Sequence, residues 1–248
     1  MTKGHTRALF SGLVWRVKPI ANVLVPRGCI VCGKTTDTTV CADCRTTLHY
    51  IQEPYCTRCG KPFTTGSGVS HVCYDCIKGK NAFMLARAVF EYNGAAIRLI
   101  HRFKFGDQVN LAAFFSDELL MLYEVYFAGL GIDAILPVPL SPRRLKHRSY
   151  NQSHLISTGL SRSLSIPVLS SVLVKIKETQ PQSRLRARQR QDNVKGAYEI
   201  TDRQALRGKS VLLIDDVITT GATVNACTRS LLRAGAHQVY VMAIALRV

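Results

Sequence analysis

Four pairs of cysteines, each separated by two residues, constrain the fold of this chain more than any other feature. Eight of the nine cysteines belong to these pairs, between residues 29 and 76. The pairs are Cys29/Cys32, Cys41/Cys44, Cys56/Cys59 and Cys73/Cys76. Two intervening residues let both thiolates of a pair reach one tetrahedral ion, and two pairs complete a four-thiolate site. The spacing therefore predicts structural zinc rather than a disulfide framework, because adjacent Cys-x-x-Cys pairs favour metal.

The two halves of this cysteine segment repeat one pattern. CIVCGK…VCADC, residues 29–44, recurs as CTRCGK…VCYDC, residues 56–76. Each copy has a glycine after its second cysteine and a valine before its third. Two complete copies favour two zinc ribbons in series with one ion each, and a cross-braced arrangement also satisfies the spacing. All eight ligands are thiolates, so neither site has the open position that catalytic zinc requires.

The net charge of the chain limits its partners. The 248 residues include 33 Lys and Arg against 16 Asp and Glu, a formal charge of +17. Residues 143–195 alone hold 12 basic and 2 acidic residues. Such clusters attract nucleic acid, an anionic membrane or a phosphorylated small molecule. No apolar run approaches the roughly 18 residues of a membrane span, and charges interrupt the N-terminal apolar stretches. We expect a cytoplasmic protein that does not insert into membranes.

The residues before the first cysteine have a helical pattern. Apolar side chains recur there at intervals of three and four: Leu9, Leu13, Val17, Ile20 and Leu24. This spacing is typical of one face of an amphipathic helix that packs on the rest of a protein. We therefore predict an N-terminal amphipathic helix within residues 1–28.

Residues 82–248 alternate strand-like apolar runs with helical periods. Strands are predicted at residues 133–139, 168–174, 209–217 and 238–246. Helices are predicted at residues 151–164 and 224–234, and Gly235 suits the C-cap of the second helix. This alternation indicates the α/β class, with a mostly parallel sheet flanked by helices. Ligands of such sheets bind at the carboxyl ends of the strands.

The most apolar of these strands contributes to VLLIDDVITTGAT, residues 211–223. Asp215 and Asp216 follow four aliphatic residues, and they face opposite sides of a regular strand. The turn after them consists of hydroxyl-bearing and small residues: Thr219, Thr220, Gly221, Ala222 and Thr223. Its backbone amides and the N-terminus of the next helix form an anion site. Acids beside such a turn suit a sugar phosphate, with the carboxylates on the ribose hydroxyls and the amides on the 5′-phosphate.

This segment resembles the phosphoribosyl pyrophosphate (PRPP) signature of type I phosphoribosyltransferases. The resemblance implies that Asp215 and Asp216 hold the ribose hydroxyls of PRPP and that residues 219–223 hold its 5′-phosphate. It also implies Mg²⁺, carried largely by the pyrophosphate and the ribose of the ligand. Thr219 stands where hypoxanthine–guanine enzymes have an acid that serves as base, which disfavours that class.

The remaining motifs resemble those of the ComF family. They are the four cysteine pairs, Tyr92-Asn93-Gly94, Lys104-Phe105-Gly106, PVPLSPRRLKHRSYNQ at residues 137–152 and the spacing of residues 179–198. The family usually has a glycine where this chain has Ser149. The resemblance implies a double zinc ribbon with two structural Zn²⁺ ions at residues 29–80. It also implies a type I phosphoribosyltransferase-like domain at residues 82–248.

The basic stretch after residue 142 is a candidate for pyrophosphate or DNA contacts. Its candidate residues are Arg143, Arg144, Lys146, Arg148, Arg184, Arg186, Arg188 and Arg190. Guanidinium groups bind phosphates bidentately, and one pyrophosphate needs only about two or three of them. The surplus favours a polyanion such as single-stranded DNA, whose binding releases counterions. A solvated arginine-rich loop without a special role is another interpretation.

Two functions remain open at this point. The favoured one is a PRPP-binding protein that handles single-stranded DNA during natural transformation, and the resemblance alone implies this process and a competence helicase as partner. The alternative is an active phosphoribosyltransferase of the amidophosphoribosyl or orotate type, which releases pyrophosphate from PRPP in nucleotide metabolism. No general base is evident in the sequence, so the sequence does not decide whether the chain is an enzyme.

Overall fold

The computed structural model describes residues 28–63, 68–178, 194 and 196–248. The helix predicted within residues 1–28 lies outside this part of the chain, apart from Gly28. Four of the candidate cations also lie outside it: Arg184, Arg186, Arg188 and Arg190. Among the described residues, no helix is both long enough and apolar enough to cross a membrane.

A parallel sheet of four strands lies at the centre of the described structure. Its strands are β1 (Leu85–Glu91), β2 (Ala134–Pro137), β5 (Ser210–Ile218) and β6 (Gln238–Leu246). They lie in the order β1-β6-β5-β2, and all three neighbouring pairs are parallel. Most residues of β5 and β6 are buried, as in parallel sheets that are covered on both faces. The predicted α/β class with a mostly parallel sheet is confirmed.

The described residues form seven α-helices. They are α1 (Ala42–Thr46), α2 (Tyr74–Ile77), α3 (Gly94–Phe105), α4 (Leu111–Tyr126), α5 (Pro142–Arg148), α6 (Gln152–Leu164) and α7 (Ala222–Arg233). Because side chains alternate along a strand, β5 contributes to two separate cores. Leu212 and Ile214 pack with α3, α4 and α6, whereas Val211 and Leu213 pack with α7. The predicted helices at residues 151–164 and 224–234 correspond to α6 and α7.

The strand predicted at residues 168–174 is wrong in its extent and its pairing. Val168 forms only a single parallel bridge with Ile135, beside β2. The chain then turns at residues 170–172, and β3 (Leu173–Lys175) pairs antiparallel with β4 (Tyr198–Ile200). The apolar pattern identified extended backbone correctly, but it carries no information about which strand becomes the partner.

Strand β1 and helices α3 and α4 were not identified from the sequence. Strand β1 reads LARAVFE, and Arg87 at its centre conceals the apolar pattern. This arginine is nevertheless buried, because its guanidinium carbon lies 5.0 Å from the ring centroid of Tyr55 and 4.8 Å from that of Tyr126. Its Nη2 also donates a hydrogen bond to the Thr57 carbonyl at 2.9 Å. The neighbours that make burial favourable are distant in sequence.

The cysteine segment is attached to the edge of β1. The Ile51 amide donates to the Val89 carbonyl at 2.9 Å, and the Glu91 amide donates to the His49 carbonyl at 2.8 Å. This pairing covers backbone groups that an edge strand would otherwise expose. Ile30 and other apolar residues of the cysteine segment also share a core with α3 and α4. The domain boundary expected between residues 80 and 82 stays a prediction.

A buried carboxylate joins α4 to the same segment. The side chain of Glu118 is 1% exposed, and its carboxylate lies 3.0 Å from the guanidinium of Arg45. The Tyr50 hydroxyl donates a hydrogen bond to the other carboxylate oxygen at 3.1 Å. Burial raises the pKa of Glu118, and the charge of Arg45 opposes that shift. The ion pair with Arg45 and the hydrogen bond from Tyr50 thus offset hydration that the carboxylate loses on folding.

Replacement of Arg45 by alanine tests this junction. The change leaves the Glu118 carboxylate buried without its cationic partner, so the free energy of unfolding in urea at saturating zinc should fall by about 1–3 kcal/mol. Lys34→Ala is the matched control, because its ion pair with Asp43 is exposed to solvent and such pairs contribute little. Equal stability of the two variants would show that Glu118 does not depend on Arg45.

Candidate functional site

The eight paired cysteines form two separate clusters. The clusters are Cys29/Cys32/Cys41/Cys44 and Cys56/Cys59/Cys73/Cys76, and the four sulfurs of each lie within 4.8 Å of one another. Consecutive pairs therefore share a site. The predicted arrangement in series is confirmed, and the cross-braced alternative is excluded.

The sulfur geometry of both clusters fits a tetrahedral ion. The Sγ atoms of Cys32 and Cys41 are 3.8 Å apart, and those of Cys59 and Cys73 are also 3.8 Å apart. Corners of a tetrahedron with Zn–S bonds of about 2.3 Å are separated by about 3.8 Å, whereas a disulfide bond is about 2.05 Å long. The residues present therefore fit one structural zinc ion per cluster.

Backbone amides stabilise one thiolate in each cluster. Amides of Val31 and Cys41 donate to the Cys29 sulfur, each at 3.4 Å. Amides of Cys59 and Cys73 donate to the Cys56 sulfur in the same way, at 3.4 and 3.3 Å. Burial opposes ionisation of Cys29 and Cys56, but the amide donors outweigh it and lower both pKa values to about 6. Burial instead raises the pKa values of Cys44, Cys59 and Cys76, so metal binding has to displace protons from these thiols.

A cavity of about 230 Å³ lies at the carboxyl ends of β2 and β5. The lining includes four of the residues predicted to bind PRPP: Asp215, Asp216, Thr219 and Thr223. Gly221 and Ala222 line a smaller cavity of about 10 Å³ inside the β5–α7 loop, residues 219–223. Thr220 lines neither; with Thr219, Gly221 and Ala222 it lines a second cavity, next to the second cysteine cluster. The structure therefore brings together most, but not all, of the predicted set.

The two aspartates have different surroundings, as the alternation of a strand predicts. Asp215 is 8% exposed, and its carboxylate accepts a hydrogen bond from the Asp216 amide at 2.9 Å. The carboxylate of Asp216 lies 2.8 Å from the Lys104 ammonium group at the end of α3. Burial raises the pKa of Asp215 to about 7, the charge of Asp216 adds to the shift, and Lys104 opposes it.

Arg144 and Arg148 of the basic stretch also line the first cavity, whereas Arg143 and Lys146 do not. The division follows from α5, because residues four apart share one face of a helix. The guanidinium of Arg148 lies 4.8 Å from the ring centroid of Phe105, and burial lowers its pKa. Only part of the predicted pyrophosphate or DNA set therefore reaches this cavity.

Lys104 and Lys175 are lining residues to which the sequence patterns gave no role. Lys175 lies in β3 and is mostly buried, with its ammonium 5.5 Å from the ring centroid of Tyr198. Burial lowers the pKa of Lys175 to about 8, and the charge of Arg144 adds to this shift. Lys104 belongs to a motif quoted for the family resemblance, but only the fold places it beside Asp216.

Asn151 holds α5 and α6 at the cavity. Its side-chain oxygen accepts from the amides of Ser153 and His154 and caps the N-terminus of α6. Its Nδ2 donates to the Val138 carbonyl, just after β2, at 3.1 Å. Ser149 ends α5 with a φ of +64°, a conformation that favours glycine. The ComF-like motif thus sets the backbone around the cavity as well as supplying charge.

Side-chain amides join the second cysteine cluster to the β5–α7 loop. Nδ2 of Asn81 donates to the Cys76 sulfur at 3.2 Å. Nδ2 of Asn225 donates to the side-chain oxygen of Asn81 at 2.8 Å and to the Gly221 carbonyl at 3.0 Å. The Asn225 oxygen accepts from the Ala82 amide at 2.8 Å, and this residue is 5% exposed. One buried residue of α7 therefore fixes both the loop and the segment that follows the last zinc ligand.

Comparisons with known proteins agree with this architecture. Residues 20–77 match the family model of the double zinc ribbon domain, and residues 152–247 match that of the phosphoribosyl transferase domain. Competence protein F of Haemophilus influenzae is 31% identical over 224 residues, which cover 83% of this chain and 96% of that protein. The chain belongs to the ComF family. The type I phosphoribosyltransferase-like fold with a preceding zinc-ribbon module, predicted from the sequence, is confirmed.

Two further ComF-family relatives are similar over most of their length. Competence protein ComFC of Bacillus subtilis is 32% identical over 206 residues, with 80% of each chain covered. DNA utilization protein YhgH of Escherichia coli K12 is 32% identical over 217 residues, which cover 86% of this chain and 87% of that protein.

The hydrogen bonds of Asn225 predict different stabilities for the two zinc sites. We expect two zinc ions per chain and, in Asn225→Ala, faster transfer of zinc to a chelator from the Cys56 cluster only. The Cys29 cluster has no such link to α7 among the described contacts, so it is the internal control. Cys41→Ser and Cys73→Ser chains, each lacking one cluster, assign the two kinetic phases. Acceleration of both phases, or of neither, would contradict the link.

Proposed function

We propose that this ComF-family chain binds PRPP with Mg²⁺ in the first cavity and handles single-stranded DNA. The observation that carries the PRPP half is the convergence of two unlike groups at one edge of the sheet. Asp215, Asp216 and the β5–α7 loop offer acceptors and backbone amides, while Lys104, Arg144, Arg148 and Lys175 offer positive charge.

Each part of PRPP finds a chemical partner in this arrangement. The β5–α7 loop precedes the N-terminus of α7, where backbone amides favour the 5′-phosphate. Asp215 and Asp216 would accept hydrogen bonds from the ribose hydroxyls, and Asp216 would then share its carboxylate between a hydroxyl and Lys104. Arginine and lysine side chains opposite the loop would bind the pyrophosphate, since guanidinium groups suit phosphates. Mg²⁺ would add charge neutralisation on the pyrophosphate and the ribose.

Single-stranded DNA is proposed because the cations of residues 143–195 exceed what the first cavity uses. Arg143 and Lys146 lie outside its lining, and four more arginines of the stretch lie outside the described residues. The relatives carry the names competence protein and DNA utilization protein, which fits a role in DNA handling. Natural transformation as the process, a competence helicase as partner and a cytoplasmic location complete the proposal on the family resemblance.

An active phosphoribosyltransferase of the amidophosphoribosyl or orotate type is the second candidate. The observation in its favour is the pKa of Asp215, raised to about 7, because a general base works best near the operating pH. Against it, the described lining contains no histidine and no carboxylate other than Asp215 and Asp216, both of which PRPP would occupy. Release of pyrophosphate on incubation with PRPP and glutamine, ammonia or orotate would favour the enzyme over the binding protein.

Calorimetry with PRPP and Mg²⁺ tests the assignment of the first cavity. The chain with Asp215→Asn and Asp216→Asn should bind PRPP at least about tenfold more weakly, since a hydrogen bond to a charged group contributes about 1.5–3 kcal/mol. Asp117→Asn, an exposed change on α4 away from the cavity, should retain the wild-type heat. Undiminished binding by the double variant would refute the assignment.

The two shifted pKa values predict an optimum for PRPP affinity between about pH 7 and pH 8. As pH falls through the pKa of Asp215, protonation removes an acceptor for the ribose. As pH rises through the pKa of Lys175, deprotonation removes a positive charge near the pyrophosphate. In Lys175→Met the alkaline decline should disappear while the acidic one remains, as measured by calorimetry across this range. An unchanged alkaline limb in this variant would exclude Lys175 as its source.

Fluorescence anisotropy with a labelled oligothymidylate tests the DNA half. We expect binding at low salt and a steep loss of affinity as the salt concentration rises. The slope of log affinity against log salt concentration should be about −0.7 for each phosphate of a single strand that the protein neutralises. An oligoadenylate of equal length is the comparison, and electrostatic binding predicts similar slopes for the two strands. Absence of binding at low salt would remove DNA from the proposed function and strengthen the enzyme alternative.

A further inference from the structure

A second cavity of about 390 Å³ lies between the second cysteine cluster and α7, and it is larger than the first. One wall comes from the cysteine segment, including Cys59, Cys73 and Lys61. The opposite wall comes from the β5–α7 loop and from Arg229 of α7. Small-molecule sites have volumes of about 300–1,000 Å³ and often lie where two modules meet. Size and position are therefore those of a binding site.

The lining of this second cavity is strongly basic. It contains four cations, Lys61, Lys80, Arg229 and Arg247, and one acid, Asp75. Asp75 lies 2.5 Å from the Lys80 ammonium and so compensates that charge. Among the described residues, no carboxylate lies within ion-pair distance of Lys61, Arg229 or Arg247. These three cations exceed the charge of −2 that four thiolates and one Zn²⁺ ion give the adjoining cysteine cluster, so the lining keeps a net positive charge that favours an anionic occupant.

The chemistry of the walls indicates what kind of anion fits. Phe83 also lines the cavity, but its ring is buried and offers no open face on which a base could stack. Recognition would therefore be directed at phosphate groups, without preference for base sequence. Lysine and arginine side chains on two facing walls suit a backbone that passes between them.

We propose that the second cavity binds the phosphate backbone of a nucleic acid single strand. This inference rests on the DNA half of the proposed function and adds a strand contact outside residues 143–195, where the β5–α7 loop faces the second cysteine cluster. Thr219 and Arg247 line both cavities. The strand and PRPP would therefore both contact one loop that Asn225 anchors.

A pair of charge-matched double variants tests the location. Lys61→Ala with Arg229→Ala removes two cations from the second cavity, and Arg98→Ala with Arg203→Ala removes two exposed cations that line neither cavity and lie outside residues 143–195. Both chains keep the same net charge, so long-range electrostatic effects are equal. By anisotropy with labelled oligothymidylate, the log–log salt slope should become shallower by about 1.4 in the first variant and stay at the wild-type value in the second. Equal slopes in the two variants would overturn the proposal.

Two controls separate this proposal from the proposed function. Calorimetry with PRPP and Mg²⁺ and zinc analysis should give wild-type values for Lys61→Ala/Arg229→Ala, which shows that the fold and the first cavity are intact. If the wild-type chain binds no oligothymidylate, the DNA half of the proposed function fails. The inference then fails with it, whereas binding by the wild-type chain together with equal salt slopes in the two double variants overturns the location alone.

Discussion

The buried amide of Asn225 is the interaction on which the rest of the arrangement depends. It holds the Gly221 carbonyl and, through Asn81, the Cys76 sulfur. Gly221 has a φ of +73°, and a Cβ there would lie 3.3 Å from the Asn225 amide nitrogen, so the loop has little room for another shape. A buried polar group without its partner is costly, and the amide therefore favours one relative position of loop and cluster. The zinc module thus lines the second cavity and is hydrogen-bonded to the loop that lines the first.

The opposing charges of the first cavity explain why it would need a phosphorylated ligand. Asp215 is buried beside Asp216, and Lys175 is buried near Arg144, so each pair carries an electrostatic cost without ligand. A ligand that presents hydroxyls to the acids and phosphates to the cations relieves both costs at once. PRPP has both kinds of group. The same reasoning gives the second cavity a simpler ligand, because its lining has four Lys and Arg side chains and one carboxylate, Asp75.

Features contiguous in sequence were predictable, and features assembled by the fold were not. The two zinc clusters follow from spacing within short segments, and Asp215, Asp216 and the β5–α7 loop follow from one strand–turn–helix sequence. By contrast, Lys104 reaches Asp216 only because α3 ends at the same edge of the sheet as β5. Arg87 has the character of a surface residue in the sequence, and only the fold encloses it between Tyr55 and Tyr126. Arg144 lines the first cavity and Arg143 does not, because the two residues lie on different faces of α5. A run of consecutive basic residues does not show which face of the helix points to the cavity.

We propose that the second zinc cluster and the β5–α7 loop act as one unit. The rate of zinc transfer to a chelator, measured with and without PRPP and Mg²⁺, tests it most directly, because coupling between two sites is reciprocal. PRPP should slow the loss of zinc from the Cys56 cluster, leave the Cys29 cluster unchanged and have no effect in Asn225→Ala. Identical rates for the Cys56 cluster with and without bound PRPP would contradict the claim.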